Sequence, residues 1–265
     1  MKTSIKTAII GAFTLIGAAF AGTTIANAAG DSESDYEMKH IHWHFDGFRG
    51  TYDRAAMQRG YQVYKEVCAS CHQLKFMSFR HLGDKGGPFY DEHFKNPSDN
   101  PVVKGLAGDW EVTDIDLDTG EEITRKAIPS DNFPAIYSNK IAAAASNNGK
   151  APPDLSVIVK ARSGGADYIY NLLVAYDEEH PTENPVFGGQ IAMAAPLYED
   201  AVEYADGTPA TVDQMAKDVT EFLAWAADPK MEQRKSLGLA VMIYLLILTI
   251  LAWFTYKQVW RNVKH

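Results

Sequence analysis

Two cysteines in 265 residues are too few for a disulfide-stapled scaffold, and a chain of this length can bury a core without staples. Positive charge is in deficit as well. Lys plus Arg is 25 against 34 for Asp plus Glu, a net charge of −9. That balance argues against a nucleic-acid partner, whose phosphates attract basic surfaces, and suits a basic protein partner instead. The sequence has no internal repeat and no low-complexity tract. With 46% hydrophobic and 22% charged residues it is not a disordered chain.

What the chain does have is an uncharged apolar run at each end. Lys2 and Lys6 precede an apolar stretch from Ala8 to Phe20, and small residues follow to Ala26-Asn27-Ala28. A positive start, a short apolar middle and an A-x-A ending are the layout of a cleaved export signal, residues 1–28. Its removal takes the charge from −9 to −11 by deleting two lysines. The second run, Leu237 to Tyr256, contains no charged residue and as a helix spans about 30 Å, the thickness of a bilayer core. Trp253, Tyr256 and Trp260 stand where an aromatic belt would lie. Lys257, Arg261 and Lys264 follow and favour a cytoplasmic tail. The pattern predicts an exported domain anchored by its C-terminus.

Between the ends the periodicity is mainly helical. Asp53 to Leu74 has helical spacing with Asp53 as a cap. Phe79 to Pro101 reads as loop, and Asp109 to Ile128 as a hairpin turning at Asp118-Thr119-Gly120. Helices are predicted for Ile136 to Ser146, from Pro152-Pro153-Asp154 onward with Leu155, Ile158 and Val159 on one face, and for Ala166 to Ala175. Val212 to Ala227 is strongly amphipathic and leads into the anchor.

Both cysteines fall in Cys68-Ala69-Ser70-Cys71-His72, and C-x-x-C-H is the attachment pattern of a c-type haem. Two intervening residues let both sulfurs reach the vinyl groups on one porphyrin edge, and the adjacent imidazole of His72 supplies an axial iron ligand. Zinc would want a second ligand pair, and a redox dithiol a βαβ context; the sequence offers neither. For the opposite axial position, elimination among eight methionines favours Met193, in the Gly-led, Pro-ended loop Phe187 to Pro196. The alternative for Met193 is core filler. Arg162 and Tyr168 flank Gly164-Gly165 and are candidates for haem propionates, although a solvated arginine reads equally well from sequence alone.

Two further clusters are set aside. Asp114 to Gly120 is not an EF-hand, because its glycine comes one position late and Arg125 stands where the closing glutamate belongs. His40, His42 and His44 would share one face of a strand but lack a carboxylate or cysteine at matching spacing.

The stretches Arg59 to His72, Pro152 to Ser156 with Ala161-Arg162, Asp167 to Tyr170 and Tyr204 to Ala227, together with the tail anchor, resemble the cytochrome c1 family, the haem subunits of cytochrome bc1 complexes, in a bacterial form. The resemblance covers nearly all of the mature chain. It implies a mainly α, class I-like cytochrome c domain with long loop insertions, plus one C-terminal transmembrane helix. It implies one covalent haem c on Cys68 and Cys71, His72 and Met193 as axial ligands, and Arg162 and Tyr168 near a propionate. It also implies that the Pro152-Pro153 stretch packs beside His72. The implied partners are cytochrome b, the Rieske iron–sulfur protein as electron donor and a soluble basic-faced cytochrome c as acceptor, in a dimeric complex in the membrane lipid. Residues 29–234 would then be a periplasmic haem domain, 235–257 the membrane anchor of the inner membrane and 258–265 a cytoplasmic tail. Asp177-Glu178-Glu179 and Glu199-Asp200 are candidates for the acceptor's docking face. Two other functions fit the haem motif without the resemblance: an anchored peroxidase-like enzyme, and an anchored cytochrome feeding a terminal oxidase.

Overall fold

The computed structural model describes residues 36–177 and 179–263, so the export signal predicted for 1–28 lies outside the described residues. The described residues fall in the unit Ser34–His265. Two helices build its centre. Helix α1 (Arg54–Glu66) starts where the Asp53 carboxylate accepts the backbone N–H groups of Ala55 and Ala56 at 2.9 and 3.2 Å. Met57, Gly60, Tyr61 and Tyr64 form its buried stripe. A turn at Cys68–Ser70 follows. Short turns at Phe79–Gly83 and Pro97–Asp99 lead to α2 (Pro101–Gly108), capped by Asn100. The hairpin then pairs β1 (Glu111–Ile115) antiparallel with β2 (Glu122–Lys126), Thr113 opposite Thr124. Next come α3 (Lys140–Ser146), α4 (Gly165–Val174) and a minimal hairpin of β3 (Glu183–Asn184) and β4 (Gly189–Gln190). Helices α5 (Val212–Ala227) and α6 (Met231–Val259) complete the chain.

Helices α1 and α5 cross at Gly60. A Cβ there would lie 2.0 Å from the Asp218 carbonyl oxygen, so only glycine admits this approach. The crossing is flanked by an ion pair: Arg59 Nε and Nη2 each sit 2.9 Å from an Asp218 carboxylate oxygen. Around it Tyr61, Tyr64, Phe79, Phe133 and Phe222 form an aromatic core, with Phe79 and Phe133 centroids 4.3 Å apart.

The chain is mainly helical with long irregular connections, as the sequence indicated, but several boundaries differ. Helix α1 ends at Glu66, ahead of the cysteines. Helix α2 occupies residues directly after the segment read as loop. Helix α3 begins at Lys140, where the Asn139 side chain caps it, rather than at Ile136. The helix predicted from Pro152 does not form. Residues 156–160 are consecutive turns, because the Leu155 N–H is drawn away to the Gln73 carbonyl at 2.9 Å and Ile158 bonds back only three residues. Leu155 and Ile158 still face the core, as expected.

Helix α6 is long and apolar enough to cross a membrane and contains the uncharged run. It starts at Met231, four residues before the anticipated anchor, after a break at Asp228-Pro229-Lys230.

Candidate haem site

The turn that carries the cysteines is closed by the Cys68 carbonyl, which accepts the N–H of Cys71 at 3.1 Å and that of His72 at 2.9 Å. Both thiols are free and half-buried. Two sets of contacts hold the turn. From α1, the buried Tyr64 donates its hydroxyl proton to the His72 carbonyl at 3.2 Å. From the other side a strap, residues 152–156, is laced to residues 72–76. Leu155 N–H bonds to the Gln73 carbonyl, Lys75 N–H to the Asp154 carboxylate at 3.2 Å, and Phe76 N–H to the Ser156 hydroxyl at 3.2 Å. The strap stands beside His72, the arrangement implied by the resemblance.

Its decisive contact is His72 Nδ1 to the Pro153 carbonyl, 2.8 Å. A carbonyl only accepts, so Nδ1 carries the proton and Nε2 keeps its lone pair. Burial lowers the His72 pKa, against smaller opposing effects of the Pro153 carbonyl and Asp154, and favours the neutral ring that ligates metals. The Cys68 thiol is pushed up to about 12 by burial and then by Cys71, an environment suited to an uncharged sulfur such as a thioether. Two sulfurs carried on one turn, the Cys68 sulfur in a setting that favours its uncharged form, and a ring nitrogen with a fixed tautomer therefore fit a c-type haem. They do not fit a tetrahedral metal. Among the described residues no group of three or more His, Cys, Asp or Glu is placed to hold an ion. His40, of the alternating histidines, is instead paired with Asp167 at 2.8 Å.

The chain runs from the strap through the turns to Arg162, whose Nη1 donates to the Ala161 carbonyl at 3.2 Å and which has no carboxylate partner among the described residues. Gly164, with φ +86°, stands immediately before α4, and Tyr168 lies one turn along, its Cβ 3.2 Å from where a Gly164 Cβ would stand. The Tyr168 hydroxyl makes no hydrogen bond among the described residues. Met193 follows β4 and is half-buried. Tyr176 donates its hydroxyl proton to the Met193 carbonyl at 2.9 Å, and burial plus the nearby Tyr168 phenol push Tyr176 up to about 12. Cys68, Cys71 and His72 thus form one group with the strap, and Tyr168, Tyr176 and Met193 a second. No hydrogen bond among the described residues joins the two.

Tyr176 is the residue that sequence reasoning missed. It belongs to no motif and its partner is a backbone atom, so no side-chain pattern signals it. Asp177, Glu179, Glu199 and Asp200 are exposed, and Glu178 lies outside the described residues.

The family model described as Cytochrome C1 family matches residues 43–263. A protein named Cytochrome c1 from Rhodospirillum rubrum is 37% identical over the whole of both chains. One from Saccharomyces cerevisiae, named Cytochrome c1, heme protein, mitochondrial, is 41% identical over 92% of this chain and 79% of its own. A Bradyrhizobium diazoefficiens protein named Cytochrome b/c1 is 41% identical over 83% of this chain and 35% of its own.

Proposed function

The chain belongs to the cytochrome c1 family of haem-binding electron-transfer proteins, and on that premise we propose that it relays electrons from a Rieske iron–sulfur protein to a soluble cytochrome c within a bc1 complex. Cytochrome b and the Rieske protein are its membrane partners, in a dimeric assembly, with the haem domain periplasmic and the tail cytoplasmic. One haem c is held through thioethers from Cys68 and Cys71, where it supplies a one-electron redox centre.

Each residue then has a task. His72 ligates through Nε2, and the Pro153 carbonyl fixes the ring's tautomer and rotation. Met193 would supply a second, thioether ligand to the haem iron, leaving no open position for small oxidants, which favours electron relay over peroxide chemistry. Arg162 and Tyr168 donate to the propionates. Exposed Asp177, Glu179, Glu199 and Asp200 attract a basic acceptor.

The observation that carries this reading is the 2.8 Å bond from His72 Nδ1 to Pro153, because it fixes the lone pair of a C-x-x-C-H imidazole on Nε2. The test is the purified full chain. Its mass should exceed that of the polypeptide by one haem, the pigment should survive acid–acetone extraction, and Met193→Leu should lower the reduction potential and abolish the sulfur–iron charge-transfer band. Extractable pigment would refute the thioethers, and an unchanged potential with an intact band would refute Met193.

A further inference from the structure

We infer that the loop Trp43–Tyr52 is a second membrane contact, with Phe48 and Arg49 seated in the lipid headgroup region beside the entry of α6. The inference rests on the proposed anchor but concerns residues outside it.

The base of the loop is rigid. Trp43 is buried and donates its indole N–H to Asp167 at 2.8 Å. Trp43 stacks on Phe45 with centroids 5.5 Å apart, and Phe45 packs on Tyr52 at 5.3 Å. Thr51 N–H closes the loop on the His44 carbonyl at 3.0 Å. Gly50 is compulsory, since a Cβ there would lie 2.1 Å from the Asp46 carbonyl oxygen. At the apex the backbone turns at Gly47, φ +69°.

Helix α6 fastens this loop at the edge of its apolar run. Glu232 accepts the Tyr52 N–H at 2.9 Å, and Lys235 donates to the carbonyls of Phe45 and Gly50 at 2.6 and 3.3 Å. The uncharged run begins at Leu237, about 3 Å further along the axis at the rise of an α-helix. The apex is therefore fixed beside the level at which the helix enters lipid.

The apex chemistry suits that level. Phe48 is 61% exposed on a loop whose other aromatics are packed. An exposed apolar ring held there gains by entering the boundary between headgroups and acyl chains, the place taken by Phe, Trp and Leu of interfacial segments. Arg49 is exposed next to it and is matched to lipid phosphate. The one acid, Asp46, turns its carboxylate back to the Trp43 N–H at 3.3 Å. Across the shoulder, exposed Lys85 lies on a segment whose carbonyl accepts from Gln233 at 3.3 Å, adding a second cation beside the same helix.

Site-directed spin labelling of the full holo chain in nanodiscs of phosphatidylcholine and phosphatidylglycerol tests this. With both native cysteines committed to thioethers, Phe48→Cys supplies the one free thiol, and Arg49→Cys gives a neighbouring position. Leu117→Cys at the tip of the β1–β2 hairpin, 97% exposed, is the aqueous reference, and Leu246→Cys within α6 the bilayer reference. The expected result at 48 is a ratio of oxygen to nickel-chelate collision about twofold or more above that at 117, with 49 close behind. A ratio at 48 and 49 equal to that at 117 overturns the inference, as does shielding from both reagents, which would mean that protein covers the loop. An aqueous signal at 246 would instead count against the anchor, and labelling of the unmutated chain against the thioethers, so each failure is distinct.

Discussion

Gly60→Ala is a single methyl placed at the crossing of α1 and α5. The new Cβ would stand 2.0 Å from the Asp218 carbonyl oxygen and 2.8 Å from Phe222 Cβ. Ordinary contact is roughly 3.5 Å, so the helices must part by about 1 Å or more. Neither obstacle is a flexible side-chain end. A gap of about 0.5–1 Å forfeits a quarter to a half of each dispersion contact. The contacts at stake are those of Met57, Tyr61, Tyr64, Met215, Val219 and Phe222, all buried in this core. Overpacking of such a site costs about 1–3 kcal/mol, and the upper end applies here because backbone is met. For a domain of this size that lowers Tm by roughly 6–12 °C. Thermal unfolding of the holo chain in detergent, followed by far-ultraviolet circular dichroism, measures it. The same scan at the haem band should shift in parallel, because Tyr64 on α1 holds the His72 carbonyl. A melting temperature unchanged from the parent chain would show that the helices part without loss and refute the argument.

Other outcomes follow from the same packing. Asp218→Ala removes the bidentate partner of Arg59 from a site where the aspartate side chain is 1% exposed, at a cost of about 3 kcal/mol in denaturant unfolding. Arg59→Met with Asp218→Leu should recover most of it, since no buried charge is then left unpaired and Asp206, the other partner of Arg59, is exposed to solvent. Glu221 is buried and its pKa is raised from 4.5 to about 7, chiefly by burial and then by Asp53, Asp218 and Asp46, with the Asp53 N–H acting the other way. The folded state therefore holds this proton more tightly than the unfolded chain, so stability falls as pH rises from about 4.5 to 7 and levels off above. Glu221→Gln keeps an acceptor for Asp53 N–H and should flatten that part of the Tm–pH curve; an equal slope in both proteins would sink the assignment. Tyr176→Phe deletes the donor to the Met193 carbonyl and loosens that loop by about 1 kcal/mol. The charge-transfer band should then be lost at a lower pH than in the parent, with haem attachment unaffected.

Sequence legibility followed the range over which each feature is determined. The cap of α1 is local and Asp53 marks it in the chain, whereas the Asn139 cap, which starts α3 at Lys140 rather than at Ile136, went unread although it is just as local. The C-x-x-C-H turn is contiguous and readable for the same reason. The segment after Pro152 misled because its apolar spacing is helical while its N–H groups answer to Gln73 and to turn partners. Helix α2 was obscured by the Gly- and Pro-rich segment before it, although Asn100 and Pro101 are a regular helix start. The Tyr176–Met193 contact joins a side chain to a backbone atom seventeen residues away, and no pattern of residue types encodes it.

The contacts that fix the site also tie it to the anchor. The strap that orients His72 continues to Lys160, whose ammonium sits 2.8 Å from Asp228. The same carboxylate takes Arg234 of α6 at 2.6 Å, so strap and anchor share one acid. On the other side α1 crosses α5, whose last residue Ala227 is followed by Asp228, while Tyr52, just ahead of α1, bonds to Glu232 through its N–H and to the Ala224 and Asp228 carbonyls through its hydroxyl. A flexible tether would show polar residues free of such cross-links between α5 and α6, and only Pro229 and Lys230 separate Asp228 from the helix. Two routes of contacts, which meet at Asp228 and part again at Glu232, therefore run from the candidate haem site to the first turns of the anchor. A domain joined in this way keeps the candidate haem site at a set height and angle above the apolar run.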